Sequence, residues 1–314
     1  MRRIIYIFLF FASSLFYGCS KLDLPRDNPL EGNAKESFQE IEEETERQNI
    51  SSGAILSAFS VSDTSQVFFS MGNLQYQPSS GTWKFAEQQY NAIGRKNASY
   101  TSTYNGWIDM FCWATSGWIY QPYEIVRYYD EVTSNELIGD YANADWGIYN
   151  AIVNGGNKIG IWRTLTSKEW DYLINSRQNA KSKYGVGCIN GINGLIILPD
   201  KFEWPKGPLF ECGVYEGKSD EALYYKKVNS YSLSEWAKIE ANGAVFLPVA
   251  GGNGMIMGDG YNIRGGYWSS SSYDVYTKKY LSIRVNDVRV DGDNNVQGID
   301  EGTFKSVRLV QNVK

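Results

Sequence analysis

The stretch GGYWSSSSYD (265–274) opens the last part of the chain, and two alternating segments follow it, YLSIRV (280–285) and SVRLV (306–310). From Leu281 to Val285 every second residue is apolar. A period of two is typical of a strand that buries one face. The C-terminal part therefore predicts strands joined by exposed loops, with one face of the sheet in the core and the other displayed to solvent.

Between these strands the sequence holds aromatic, amide and charged side chains, a mixture suited to recognition when loops on a sheet display it. We predict that five of these side chains contact a ligand: Tyr273, Tyr276, Arg284, Asn286 and Arg289. Exposed tyrosines suit either a glycan, by stacking on the sugar face, or a protein partner. Two further residues are assigned to the fold: Trp268 as a core aromatic beneath the loops and Arg308 as a buried or half-buried pairing residue.

The composition excludes several classes of function. Histidine is absent from all 314 residues, so the chain cannot form a Ser–His or Cys–His nucleophile pair or a histidine-ligated metal site. The net charge of −5, without a block rich in Lys and Arg, argues against nucleic acid, because neutralising phosphates requires a clustered basic surface. An apolar fraction of 43% is enough for a sizeable folded core.

The first residues have the pattern of an export signal. Arg2 and Arg3 precede an apolar run from Ile4 to Tyr17, which is shorter than the about twenty residues of a membrane-spanning helix. LFYGC (15–19) resembles the end of a bacterial lipoprotein signal. A simple secretory leader is the alternative, because the two aromatic residues before Gly18 depart from the usual pattern.

The lipoprotein resemblance makes residues 1–18 a signal peptide and Cys19 the site of lipid attachment. Ser20 then favours the outer membrane, with the folded part facing outward. Residues 19–50 include the acidic run KESFQEIEEETERQ, which has too few apolar groups to pack and predicts a flexible tether. Residues 51–314 are predicted to form one domain.

Three segments predict strands within that domain. AFSVSDTSQVFFS (58–70) reads as a hairpin, and VGCINGINGLIILP (186–199) contains two Asn–Gly turn dipeptides between apolar runs. AVFLPVAGG (244–252) is a short buried strand. WKFAEQQY (83–90) predicts a short helix or an irregular turn.

Two helices have start signals. Thr166 stands three residues before Glu169, and Ser232 stands three residues before Glu235, so each pair fits a capping box. Gly243 is a suitable end for the second helix.

Three cysteines remain after the leader: Cys112, Cys188 and Cys212. In an exported protein one disulfide is possible, and Cys188 with Cys212 is the nearer pair in sequence. The alternative is three small buried apolar side chains.

Eight segments in order resemble a large set of bacterial lipoproteins with a C-type-lectin-like fold, in the branch related to formylglycine-generating enzymes. They are VFFSMGNLQY, WKFAEQQY, GWIDMFCWATSG, WRTLTSKEW, GLIILPD, EANGAVFLPVAG, GYWSSSSYD and SVRLV. The family includes surface or adhesin-like proteins and variable receptors whose C-terminal loops are diversified by retroelements. The resemblance covers roughly residues 55–314. It implies an α+β fold in which two helices flank a small twisted antiparallel sheet and long loops support a ligand surface.

The same resemblance raises an enzymatic alternative that the residues argue against. Formylglycine-generating enzymes oxidise a substrate cysteine through a C-terminal, copper-binding cysteine pair, whereas here no cysteine follows Cys212. A glycosidase would need two carboxylates at a set separation. Asp109, Asp145 and Glu169 are candidates, but nothing in the sequence brings two of them together. We expect no catalytic residues and no cofactor.

DGDNNVQGIDEG (291–302) begins like a calcium loop, but Val296 and Gly302 stand where an EF-hand requires Gly and Glu. The EPN, QPD and WND triplets of calcium-dependent lectins are also absent from the sequence. We therefore predict no metal site, with a calcium site of another geometry as the alternative to a polar hairpin turn.

The sequence as a whole predicts a non-catalytic, lipid-anchored surface protein that binds a glycan or a protein through its C-terminal loops. The alternative is a structural or accessory component of a cell-envelope or surface-appendage assembly. The oligomeric state stays open.

Overall fold

Short strands are the main regular elements of the fold, and tight turns or longer irregular segments connect them. The computed structural model describes residues 53–94, 101–126, 130–217, 221–251, 260–294 and 303–313. All of them lie in one compact unit, Ile50–Lys314. The strands are, in chain order, β1 (Phe59–Ser60), β2 (Gln66–Phe69), β3 (Leu74–Gln77), β4 (Thr82–Phe85), β5 (Met110–Phe111), β6 (Arg163–Thr164), β7 (Tyr184–Ile189), β8 (Ile192–Ile197), β9 (Ser230–Tyr231), β10 (Val245–Pro248), β11 (Arg264–Ser272), β12 (Thr277–Arg284), β13 (Asp287–Asn294), β14 (Lys305–Ser306) and β15 (Leu309–Asn312).

The helices are short. In the part of the chain that the structure describes, the α-helices are α1 (Glu131–Ser134), α2 (Trp146–Tyr149), α3 (Ser167–Asp171), α4 (Tyr225–Val228) and α5 (Leu233–Ala241). A single π-helical turn, Tyr172–Ser176, continues α3. Short 3-10 turns lie at Gly139–Ala144, Ala180–Ser182 and Ala222–Tyr224.

Within the described ranges the strands form four small sheets. The orders are β13–β12–β11–β14–β5, β1–β2–β15–β6, β10–β8–β7–β9 and β3–β4. Neighbouring strands are antiparallel except β11 with β14 and β7 with β9. The fold is therefore α+β with several small, mainly antiparallel sheets. It differs from the single small sheet flanked by two helices that the resemblance implies.

The C-terminal meander β11–β12–β13 is the largest part of these sheets. The predicted alternation is confirmed on one face, because Leu281, Ile283 and Val285 are all buried in the main hydrophobic core. The expectation for the other face is wrong at Ser282, which is also buried. The prediction of loops is likewise wrong for Asp287–Asn294, since this acidic segment pairs with β12 along its whole length.

A cluster of buried tryptophans forms a second core on the other face of the meander. Trp83, Trp113, Trp146 and Trp162 pack there together with Trp268. Trp268 is fully buried, and its Nε1 donates a hydrogen bond to the Phe111 carbonyl at 2.8 Å. It thus lies in the core beneath the strands of the C-terminal sheet.

Arg308 is fully buried and joins segments that are distant in sequence. Its Nη2 donates to Gln89 Oε1 at 2.7 Å, and its Nη1 lies 3.4 Å from Asn73 Oδ1 and 3.5 Å from the Phe246 carbonyl oxygen. Burial lowers the pKa of this guanidinium to about 10, opposed by the nearby Tyr267 and Glu240. These three acceptors are neutral oxygens, so Arg308 works as a hub of hydrogen bonds.

Both predicted helix starts are confirmed. Thr166 and Ser232 each accept a hydrogen bond from the backbone of the glutamate three residues later, and that glutamate bonds back to the capping residue. The second helix ends before Gly243, whose φ of 88° a side chain would strain. Local sequence thus fixes where these helices begin.

The hairpin predictions are confirmed with two corrections. Residues 58–70 form the β1–β2 hairpin, and Asn190–Gly191, with φ of 49° and 87°, makes the two-residue turn between β7 and β8. Asn193–Gly194 is not a turn, because both residues lie within β8. Residues 83–85 are not helical; they belong to β4, which pairs with β3.

The cysteines form no disulfide among the described residues. Cys112 and Cys188 are buried, whereas Cys212 is exposed. The Cys188–Cys212 bond that the sequence left possible is not formed. The alternative of three buried cysteines holds for Cys112 and Cys188 and is wrong for Cys212. Cys19 and the rest of residues 1–50 lie outside the described residues.

Candidate functional site

The turn between β11 and β12 projects apolar side chains into solvent. Tyr273 is 73% exposed, Val275 38% and Tyr276 45%. We call residues 273–276 the aromatic tip. Large exposed side chains that lie next to one another form a candidate interaction surface.

Hydrogen bonds within the turn hold the aromatic tip in one conformation. The Asp274 carboxylate accepts from the backbone N–H groups of Tyr276 and Thr277 at 2.8 and 2.7 Å. These bonds to the charged form lower the pKa of Asp274. The Tyr273 N–H donates to the Thr277 carbonyl at 2.9 Å and closes the turn. The polar groups of the turn thus bond to each other while the rings face outward.

A buried lysine anchors the turn from below. The Lys278 ammonium donates to Ser272 Oγ and to the carbonyls of Asp274 and Val275, at 3.0–3.1 Å. It also lies 5.0 Å from the ring centre of Trp113. Burial lowers the pKa of Lys278 to about 8, and Asp274 and Asp130 oppose this shift.

This pKa predicts a pH-dependent stability. The pKa of Lys278 in the folded protein lies below the ordinary lysine value of 10.5, so between about pH 8 and 10 the unfolded chain binds more protons than the folded one. The cost of burying the charge is present below pH 8 and falls as the pH rises through that window. We expect the unfolding free energy of the parent, relative to Lys278→Met, to increase from pH 7 to pH 9.5.

The measurement is urea unfolding of both proteins at the two pH values. The Met variant cancels the contributions of all other titrating groups, because these are common to both proteins. An unchanged difference between the parent and the variant would contradict the depressed pKa.

A second lysine lies beside the first ring of the tip. The Nζ of Lys279 lies 4.8 Å from the ring centre of Tyr273, within the range of a cation–π contact. Successive strand residues point to opposite faces, so Lys278 and Lys279 leave β12 on different sides. The tip is therefore supported from both faces of the sheet.

A cleft of about 390 Å³ opens close to the tip, with Ser270 of β11 in its wall. Leu137, Ile138 and Ile148 form its apolar side. Its polar side carries Asp145, Arg163 and Glu169. The structure thus brings together two of the carboxylates that the sequence could not place near one another.

Both carboxylates of the cleft are engaged by donors of the fold. Asp145 is buried and accepts from the backbone N–H groups of Gly147 and Thr164, each at 2.8 Å. Burial raises the pKa of Asp145, and these hydrogen bonds oppose the shift. Glu169 forms a two-point ion pair with Arg163 at 2.7 and 2.8 Å. These contacts stabilise the connection between α2 and α3.

The third carboxylate considered, Asp109, lies elsewhere. It is buried, and its oxygens accept from the N–H groups of Ile93 and Gly94 at 2.6 and 3.1 Å. It is not among the residues that line the cleft. These two hydrogen bonds position the backbone at residues 93–94.

The five predicted contact residues are divided between the two ends of β12. Tyr273 and Tyr276 precede this strand, whereas Arg284 ends it and Asn286 follows. Seven steps of about 3.3 Å separate Thr277 from Arg284, so the two ends are about 23 Å apart. The prediction that all five act together on loops is thus not matched by their positions.

Arg289 lies on β13, towards the second of these ends, opposite Ser282. It forms ion pairs with Asp287 at 2.7 Å and Asp291 at 3.0 Å, and these contacts raise its pKa. Arg284 ends β12, within the segment 280–285 that the sequence predicts as a strand, whereas the strand position of Arg289 corrects its placement on a loop. Of the calcium-like segment, Asp291–Asn294 belong to β13 and residues 295–302 lie outside the described residues.

Sequence reasoning missed the two lysines that support the tip. A usable signal was present, because Lys278 has the same parity along β12 as Tyr280, which packs in the tryptophan core. In the described ranges, no group of three or more Asp, Glu or Cys side chains is placed to hold a metal ion. No helix in those ranges has the length and apolarity to cross a bilayer.

Comparisons with protein-family models, with curated proteins and with solved structures give no match.

Proposed function

We propose that this protein is a non-catalytic, lipid-anchored surface protein that binds a ligand through its aromatic tip. The observation that carries the proposal is the arrangement of the turn, in which Asp274 and Lys278 satisfy the backbone while Tyr273 and Tyr276 stay exposed. A turn already ordered before binding loses little conformational entropy on association. Exposed tyrosines supply large, rigid contact areas.

The C-type-lectin-like fold is part of the same proposal. The α+β character and the mainly antiparallel sheets support it, whereas four small sheets stand where the resemblance implies one. The location at the outer membrane rests on the sequence of residues 1–20, where LFYGC places Cys19 after an apolar run. A glycan or a protein on a neighbouring surface is the class of ligand that such a protein would meet.

The test is capture of ligands from an array of glycans and surface proteins by the purified protein. We expect at least one ligand to be captured by the parent and lost by the double variant Tyr273→Ser, Tyr276→Ser. Both side chains are exposed, so the variant should unfold at nearly the same temperature as the parent. Equal capture by the parent and the variant would refute a role for the tip.

A further inference from the structure

A groove of about 310 Å³ runs along the base of the aromatic tip. Lys168, Tyr172 and Ser176 line it on the helical side, and Lys279 and Val290 line it on the sheet side. The groove reaches the tip because the Lys279 ammonium lies beside the ring of Tyr273. A ligand that binds Lys279 in the groove would therefore lie within reach of that ring.

The helical wall of the groove has a fixed and unusual shape. It includes the π-helical turn Tyr172–Ser176. Such turns are rare in proteins, and those that occur are often at functional sites. The Arg177 N–H donates to the Tyr172 carbonyl at 2.8 Å, and the buried Arg177 side chain donates from Nε to the Leu173 carbonyl at 2.9 Å. The Tyr172 hydroxyl donates to Asp63 at 2.9 Å. These bonds make the wall a preformed surface.

The charge of the groove favours an anion. Among the described lining residues, two lysines, Lys168 and Lys279, face one carboxylate, Asp171, and the Asp63 carboxylate is engaged by the Tyr172 hydroxyl. Asp171 already accepts a hydrogen bond from Asn175 Nδ2 at 2.7 Å.

Building on the proposed function, we propose that the groove and Tyr273 together bind a sugar that carries a carboxylate, as uronic and sialic acids do. The carboxylate lies between Lys168 and Lys279. The apolar face of the sugar ring packs on Tyr273, and its hydroxyls bond to Ser167 and Ser176. An acidic peptide matches the charge but offers no flat face to the tyrosine ring.

Two pairs of sugars test the proposal on the full chain: trigalacturonic acid against its carboxyl-reduced form, and sialyllactose against lactose. We expect at least one acid to bind about tenfold or more tightly than its neutral counterpart, as a charge-assisted hydrogen bond implies. The double variant Lys168→Gln, Lys279→Gln should lose this preference. The matched control Lys201→Gln, Lys206→Gln changes two exposed lysines outside the groove and should keep it.

Three results would overturn the proposal: neither acid preferred over its neutral partner, no binding of any of the four sugars, or equal losses in the two lysine variants. Tight binding of a polyglutamate peptide that survives Tyr273→Ser would overturn it as well. If the tip variant still abolishes capture on the array while the groove variant does not, the proposed function stands and the acidic-sugar assignment fails.

Discussion

Replacing Trp268 by alanine is expected to lower the unfolding free energy by about 3–5 kcal/mol, the usual cost of deleting a large aromatic from a packed core. Trp268 is fully buried, packs edge-on against Tyr280 at 6.1 Å between ring centres, and bonds to the Phe111 carbonyl. Its loss leaves a cavity and a carbonyl without its donor. Urea unfolding at pH 7 measures the change.

A milder variant keeps the test usable if the alanine protein does not fold. Trp268→Phe retains most of the ring volume but removes the indole N–H, so we expect a loss of about 1–3 kcal/mol. The matched control is Tyr273→Ala, which deletes an aromatic from the same strand pair at an exposed position and should change stability by less than about 0.5 kcal/mol. Equal losses at the two positions would contradict the core position of Trp268.

Replacing Arg308 by alanine is expected to cost about 3 kcal/mol or more. The change leaves a cavity where a fully buried side chain stood, and it removes the donor for Gln89 Oε1. Gln89 also accepts from the Phe246 N–H at 2.8 Å and donates to the Ala244 carbonyl at 3.0 Å. The loss should therefore loosen the contact between residues 89 and 244–246.

The comparison variant is Arg308→Met, which fills much of the volume without donors or charge. We expect its loss to be smaller, about 1–2 kcal/mol, because the cost of burying the guanidinium disappears together with its bonds. Thermal unfolding of the three proteins measures the order. An alanine variant as stable as the parent would show that the network contributes nothing.

Local signals in the sequence predicted the elements that depend on few neighbours. The capping boxes at Thr166 and Ser232, the Asn190–Gly191 turn and the buried face of β12 all follow from spacing alone. Each depends on residues within about six positions of one another. Such local patterns predict the same element whatever the rest of the chain contains.

Long-range pairing decided what the sequence did not predict. Asp287–Asn294 reads as a loop because it is acidic and contains Gly, yet β12 pairs with it from end to end. Tertiary pairing overrides a weak strand propensity. This pairing also moves Arg284 and Arg289 away from the tip, so a group that is continuous in sequence is divided in space.

The burial of Lys278 could not be predicted from the sequence for a different reason. Lysine is rarely buried without partners, so its position in the sequence indicates exposure. Three oxygen acceptors from its own turn and the face of Trp113 offset the cost of burial here. These acceptors come together only when the turn between β11 and β12 closes.

We propose that the ligand binds at the aromatic tip and not at the opposite end of β12. Capture of the same ligand by three proteins tests it most directly: the parent, the tip variant Tyr273→Ser, Tyr276→Ser, and the far-end variant Arg284→Gln, Asn286→Ser, Arg289→Gln. We predict that the tip variant loses capture by tenfold or more, as expected for two central aromatic contacts, while the far-end variant binds like the parent. Loss of capture in the far-end variant with full capture in the tip variant would contradict the account.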